Sequence, residues 1–181
     1  EVVVPPTICE PSAPGFAADV AKHMLQVATA TDGSMLGLFT SYRVLEATHK
    51  KFIEAGWADR VMRQNDQPRM QLIARLKAEP GSVLLGTESF WAGVDVPGDA
   101  LQVVCIDRLP FPSPEDPMLS AYEALNGRQT FKKYSMPRAL VGFRQGFGRL
   151  IRSVNDRGVV VVMDRRLMES NYGKIFQRAL P

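Results

Sequence analysis

Cysteine is scarce in this chain: only Cys9 and Cys105 occur among 181 residues. Neither lies in a CxxC or Cys/His spacing, which excludes a zinc or iron–sulfur centre held by this sequence and a disulfide-stapled scaffold. Both read as free thiols of a reducing compartment, and no metal ligand set is expected. The sequence contains no GxxxxGK[ST] and no acid-rich box after a strand, so it lacks both a phosphate-cradling loop and the usual magnesium ligands beside it. No apolar run approaches the roughly 20 residues needed to cross a bilayer, and no basic-then-apolar leader opens the chain. A cytoplasmic location with no membrane partner is therefore expected. Charge of one sign is also in short supply, with a net of +3. That balance permits a polyanionic partner without requiring one, because phosphate binding depends on clustered cations rather than totals. There is no internal repeat, low-complexity stretch or coiled-coil heptad. Glu1 stands directly ahead of Val2-Val3-Val4, which suggests a unit, 1–181, cut from a longer polypeptide.

What is present is a regular alternation of strands and helices. At 45% hydrophobic residues the chain can bury the core of one α/β domain. Val2 to Val4 reads as a strand, and Pro5-Pro6 and Pro11 to Gly15 as a loop, since proline lacks a ladder donor. Phe16, Val20, Met24 and Val27 recur at helical spacing and predict a helix from Phe16 to about Ala30. Met35 to Phe39, Ser82 to Gly86, Leu101 to Ile106 and Gly158 to Met163 are short apolar runs of the kind that parallel strands form when helices cover both faces. Helices are predicted over 43–54, 67–78, 119–125 and 137–151. Such an alternation implies right-handed crossovers and a parallel sheet.

In open parallel sheets ligands gather at the carboxyl ends of the strands, so the segments just after each strand are the places to search. In Gln145-Gly146-Phe147-Gly148-Arg149-Leu150-Ile151-Arg152, two arginines three residues apart fall one helical turn apart and can converge on one anion. Guanidinium suits phosphate because its planar fork donates paired hydrogen bonds and stays charged. A solvated helix end would explain an isolated RxxR, but not the added Gln145 and paired glycines. Thr87-Glu88-Ser89-Phe90-Trp91-Ala92-Gly93-Val94-Asp95 offers the Thr87 and Ser89 hydroxyls to a phosphate. Its acid Asp95 can bond a ribose hydroxyl or stabilise an Asx turn. Phe39-Thr40-Ser41-Tyr42 places small donors at a strand end, either for an anion or as an ordinary helix cap.

Taken together these segments resemble the second RecA-like domain of XPD/DinG-type superfamily 2 DNA helicases. Leu38 to Tyr42 is similar to helicase motif IV and Thr87 to Asp95 to motif V, while Gln145 to Arg152 has the QxxGRxxR form of motif VI. Further likeness lies in Phe90 to Asp99, in Ile106 to Phe111 and in Asn171 to Lys174. The resemblance implies a RecA-like α/β fold, a parallel sheet flanked by helices, without a Walker A loop of its own. It implies that Arg149 and Arg152 act across a cleft on ATP, with Arg152 the arginine finger, Gln145 coupling nucleotide to neighbouring motifs, and Asp95, Gly93 and Gly148 on the nucleotide side. Thr40, Ser41, Thr87 and Ser89 would contact single-stranded DNA. ATP and Mg²⁺ would be bound mainly by an N-terminal RecA-like domain of the same chain, and any iron–sulfur cluster would also belong there. The complete protein would be an ATP-dependent DNA helicase, whereas the isolated 1–181 unit would be inactive. The family commonly has Glu where this chain has Ala92. Two alternatives remain at this level: a non-catalytic nucleic-acid-binding module, and the helicase-like domain of a DinG-type exonuclease.

Overall fold

The structure, a computed structural model, describes residues 1–91, 96, 100–148, 150 and 158–180. In chain order the described elements begin with β1 (Val2–Val3), α1 (Phe16–Ala30), β2 (Met35–Leu38), α2 (Tyr42–Glu54), β3 (Val61–Arg63) and α3 (Arg69–Ala78). Next come β4 (Val83–Gly86), α4 (Glu88–Trp91), β5 (Val103–Ile106) and α5 (Pro117–Asn126). A 3-10 turn (Gly127–Gln129) and a π-helical turn (Phe131–Ser135) then lead into α6 (Met136–Phe147), β6 (Val159–Val162), α7 (Arg166–Glu169) and α8 (Gly173–Arg178). None of the described helices is long and apolar enough to cross a membrane.

The strands form one sheet in the order β1-β6-β5-β2-β4-β3, and every described pairing is parallel. Its central strands are buried along their whole length, which is why they appear as unbroken apolar runs. Successive side chains feed opposite faces, as the two-residue period of a strand requires. Met35, Val83, Leu85, Val103, Cys105 and Val161 pack under α1 and α2 with Phe16, Val20, Met24, Leu45 and Phe52. Leu36, Leu38, Leu84, Val104, Ile106, Val160 and Val162 pack on the other side with Leu72, Leu76, Trp91, Phe143 and Phe176.

The expected parallel α/β architecture is therefore present, with differences in detail. β3 went unseen in the sequence because it has only three residues and ends in a charged one, Arg63. Pairing by main-chain bonds to β4 at the sheet edge makes it a strand. α6 was expected to reach Ile151 but ends at Phe147, with Gly148 as its C-cap. The glycines at 146 and 148 weaken the helix at that point, since glycine carries the largest backbone entropy cost. α5 runs a little beyond its expected bounds because Asp116 accepts from the Met118 N–H and Pro117 occupies the first turn. α7 and α8, which the apolar spacing did not reveal, close the chain.

The order of the strands locates a ligand crevice. The chain leaves β2 toward β3 and β4 on one side, but leaves β5 toward β6 on the other. The switch point thus lies between β2 and β5, at their carboxyl ends.

Candidate functional site

A cleft of ≈ 990 Å³ opens at that edge. It is lined by the segment Phe39 to Tyr42 after β2, by Thr87 and Trp91, and by the loop from Pro110 to Ser113. Lys133 and Tyr134 of the π-helical turn and Arg138 and Gln145 of α6 also face the cleft. The structure thus brings Thr40, Ser41, Thr87 and Gln145 together. Ser89 is exposed and lies away from the lining. Gly148 caps α6. Gly93, Asp95, Arg149 and Arg152 lie outside the described residues.

Three polar links set the geometry of this edge. Asp107, fully buried just after β5, accepts from the Thr40 N–H (3.0 Å) and the Thr40 hydroxyl (3.1 Å), which ties β5 to β2 across the switch point. Gln64, just after β3, accepts from the Thr87 N–H (2.7 Å) and the Thr87 hydroxyl (2.8 Å). The Trp91 indole N–H donates to the Phe39 carbonyl at 3.1 Å. Gly146 lets α6 close on this indole: a Cβ there would sit 3.0 Å from the Trp91 ring and 3.2 Å from Leu38. The neighbours that require a glycine here are side chains.

The hydroxyl protons of Thr40 and Thr87 are consequently engaged with protein acceptors. Both were candidate donors to a phosphate, and in this structure each donates within the protein. Ser41 differs. It occupies the N-cap position of α2 without making a capping bond, and its Oγ is buried without a partner.

Burial pushes the Asp107 carboxyl up to about 7, against the pull of Arg108, whose Nε lies 3.6 Å away, and of the Thr40 donors. Between its ordinary range and that value the folded chain holds a proton that the unfolded chain releases. Stability from this group must then fall as pH rises through the window, with a slope of about 1.4 kcal/mol per pH unit. Asp107→Asn keeps the shape and an acceptor for the Thr40 N–H while removing the titration. Urea unfolding at a series of pH values should show the variant matching wild type near pH 4 and exceeding it at pH 8. Parallel pH profiles would remove Asp107 from this account.

Similarity to known proteins bears directly on this cleft. Residues 24–181 match the family described as Helicase C-terminal domain. The chain belongs to this family, in its XPD/DinG branch. This helicase C-terminal domain is 40% identical over 165 residues to the ATP-dependent DNA helicase YoaA of Haemophilus influenzae, covering 90% of the chain and 26% of that protein. It is 39% identical over 167 residues to the ATP-dependent helicase DinG of Mycobacterium tuberculosis, covering 91% of the chain and 25% of the relative. To the 3'-5' exonuclease DinG of Bacillus subtilis it is 37% identical over 176 residues, covering 93% of the chain and 19% of the relative. The chain therefore spans about a quarter or less of the curated relatives it matches. Among solved structures, one titled XPD_Helicase superposes with a TM-score of 0.77 at 21% identity, over 99% of this chain and 34% of that one, which establishes the shared RecA-like fold.

Proposed function

We propose that this chain is the second motor domain of a longer ATP-dependent DNA helicase, one that couples ATP hydrolysis to movement along single-stranded DNA. The observation that carries this reading is the convergence of Thr40, Ser41, Thr87 and Gln145 on one cleft at the strand ends of a helicase C-terminal domain. In this reading the cleft is part of the strand track, and its cationic side chains Lys133 and Arg138 add sequence-independent attraction for the phosphate backbone. Gln145 stands on α6 two residues before its end and leads into the segment that carries Arg149 and Arg152, which would reach ATP across an interface with an N-terminal RecA-like domain of the same protein. ATP and Mg²⁺ would be held mainly by that other domain, because this sequence has no phosphate-cradling loop.

The likeness to a 3'-5' exonuclease DinG supports a second reading, in which the same strand track serves a protein whose chemistry is strand cleavage.

Steady-state phosphate release distinguishes the roles of part and whole. The complete protein should hydrolyse ATP faster when single-stranded DNA is added, whereas residues 1–181 alone should release none above background. An arginine can stabilise transferring phosphate only where another domain and a metal position it. Turnover by residues 1–181 alone, abolished by a point change within them, would overturn the reading.

A further inference from the structure

Gln64 belongs to none of the motif segments, yet it joins two of them. The Gln64 N–H donates to the Leu85 carbonyl at 2.8 Å, which carries the edge pairing of β3 with β4 one residue further. The chain then turns sharply. Asn65 adopts φ 78°, and Asp66 closes the turn through its N–H on the Arg63 carbonyl (3.2 Å) and its carboxylate on the Arg63 N–H (3.0 Å) and Nε (2.9 Å). Arg63 also pairs with Glu46 of α2. Tyr42 stands four residues before Glu46, hence on the same face of that helix, and Gln64 contacts it: Nε2 to Tyr42 Oη is 2.7 Å. The turn after β3 is thus docked on α2 by two polar links one helical turn apart.

The hydrogen-bond directions follow from chemistry. The Thr87 N–H can only donate, so the Gln64 atom it meets is the carbonyl oxygen, and the atom facing Tyr42 is the NH₂ group. Tyr42 Oη therefore accepts, and its own proton remains available. Tyr42 is 50% exposed and lines the cleft next to Ser41, whose hydroxyl has no partner. A phosphodiester oxygen can only accept. Above about pH 7, with Asp107 ionised, the Thr40 proton lies on its carboxylate and the Thr87 proton on Gln64, so the side-chain hydroxyls left to donate at this end of the cleft are those of Tyr42 and Ser41.

We infer that Tyr42 is a phosphate-contacting residue of the single-strand track and that Gln64 is its positioning residue, fixing the phenol as a donor while it holds Thr87. The inference rests on the reading of the cleft as a strand track. It shifts the donor role from the two threonines to the tyrosine between them.

Anisotropy of a labelled oligo(dT) with the complete protein, with ATP binding measured in parallel, is the test. Tyr42→Phe removes only the hydroxyl and should weaken strand binding about tenfold, as loss of a hydrogen bond to a charged group does, while ATP binding stays unchanged. Gln64→Glu still accepts both Thr87 donors, so the thermal midpoint should hold. Its carboxylate captures the Tyr42 proton, however, and strand affinity should fall again. Because the two changes remove one donor, Gln64→Glu should cost less in the Tyr42→Phe background than in wild type. Strand affinity of Tyr42→Phe within twofold of wild type, equal costs of Gln64→Glu in both backgrounds, or a loss of ATP rather than strand binding would each overturn the inference. Absence of strand binding by the wild type would instead bring down the reading of the cleft itself.

Discussion

Arg152→Ala in the complete protein is expected to lower ATP turnover by a factor of about 10³ to 10⁵ while changing ATP affinity far less. A guanidinium that reaches the transferring phosphoryl group acts on charge that develops in the transition state, and an arginine finger has about that effect in related phosphoryl transfers. The cause would appear in kcat and not in binding, since the interaction is made chiefly in the transition state. α6 is anchored by Phe143, Phe147 and the close contact of Gly146 with Trp91, and Leu150 beyond its C-cap is again buried. The carboxyl end of α6 is therefore a fixed point, and Gln145 of that helix lines the cleft. Arg152→Lys should recover little, because lysine keeps the charge but loses the planar fork. Single-turnover and steady-state phosphate release, with ATP binding measured separately, would check this. Turnover within tenfold of wild type would remove Arg152 from the chemistry.

The features legible in the sequence are those that a local pattern carries. β2, β4, β5 and β6 are short apolar runs because both faces of the sheet are covered, and a residue such as Leu36 or Val104 has no solvent-facing alternative. α1 was legible through Phe16, Val20 and Met24, which fall on one buried face. β3 was not legible, since three residues at a sheet edge produce no period, and their strand character comes from pairing with a partner some twenty residues away. The convergence of three motif segments on one cleft could be anticipated because a parallel sheet presents its carboxyl ends together. The partners of the hydroxyls could not. Thr40 is held by Asp107, 67 residues on, and Thr87 by Gln64, 23 residues back, and neither neighbour announces itself by spacing. Asp107 did lie in a segment set apart by family resemblance, though without a role, whereas Gln64 lay outside every such segment. A sequence shows which residues carry donors, but the tertiary fold decides which of those donors remain free.

Asp164→Ala should lower the stability of the described structure by about 3 kcal/mol. Asp164 is fully buried at the end of β6 and accepts from the Leu109 N–H (2.9 Å), the Arg166 N–H (3.0 Å), and the Arg166 guanidinium through Nε (2.9 Å) and Nη2 (2.6 Å). Its hydrogen bonds raise the pKa of Arg166, whose guanidinium also lies 5.8 Å from the Phe111 ring. Removing the carboxylate strands two main-chain donors and a half-buried cation at once, and breaking a buried pair of this kind costs about 3 to 5 kcal/mol. The lower end applies because Arg166 retains 33% exposure and can recover some solvation. For a chain of this size the change corresponds to a fall in Tm of roughly 10 °C. Asp164→Asn keeps acceptor capacity but loses the charge, so its Tm should lie between those of Asp164→Ala and wild type. The loss should also reach the cleft. Leu109 leads directly into Pro110 to Ser113, which line the cleft, and the Leu109 N–H bond helps to fasten that loop to the segment after β6. Calorimetry should therefore show the destabilisation, and strand titration below the lowered Tm should show weaker binding in the still-folded variant. A Tm within 2 °C of wild type would mean that the Asp164 pair does not help to secure that loop.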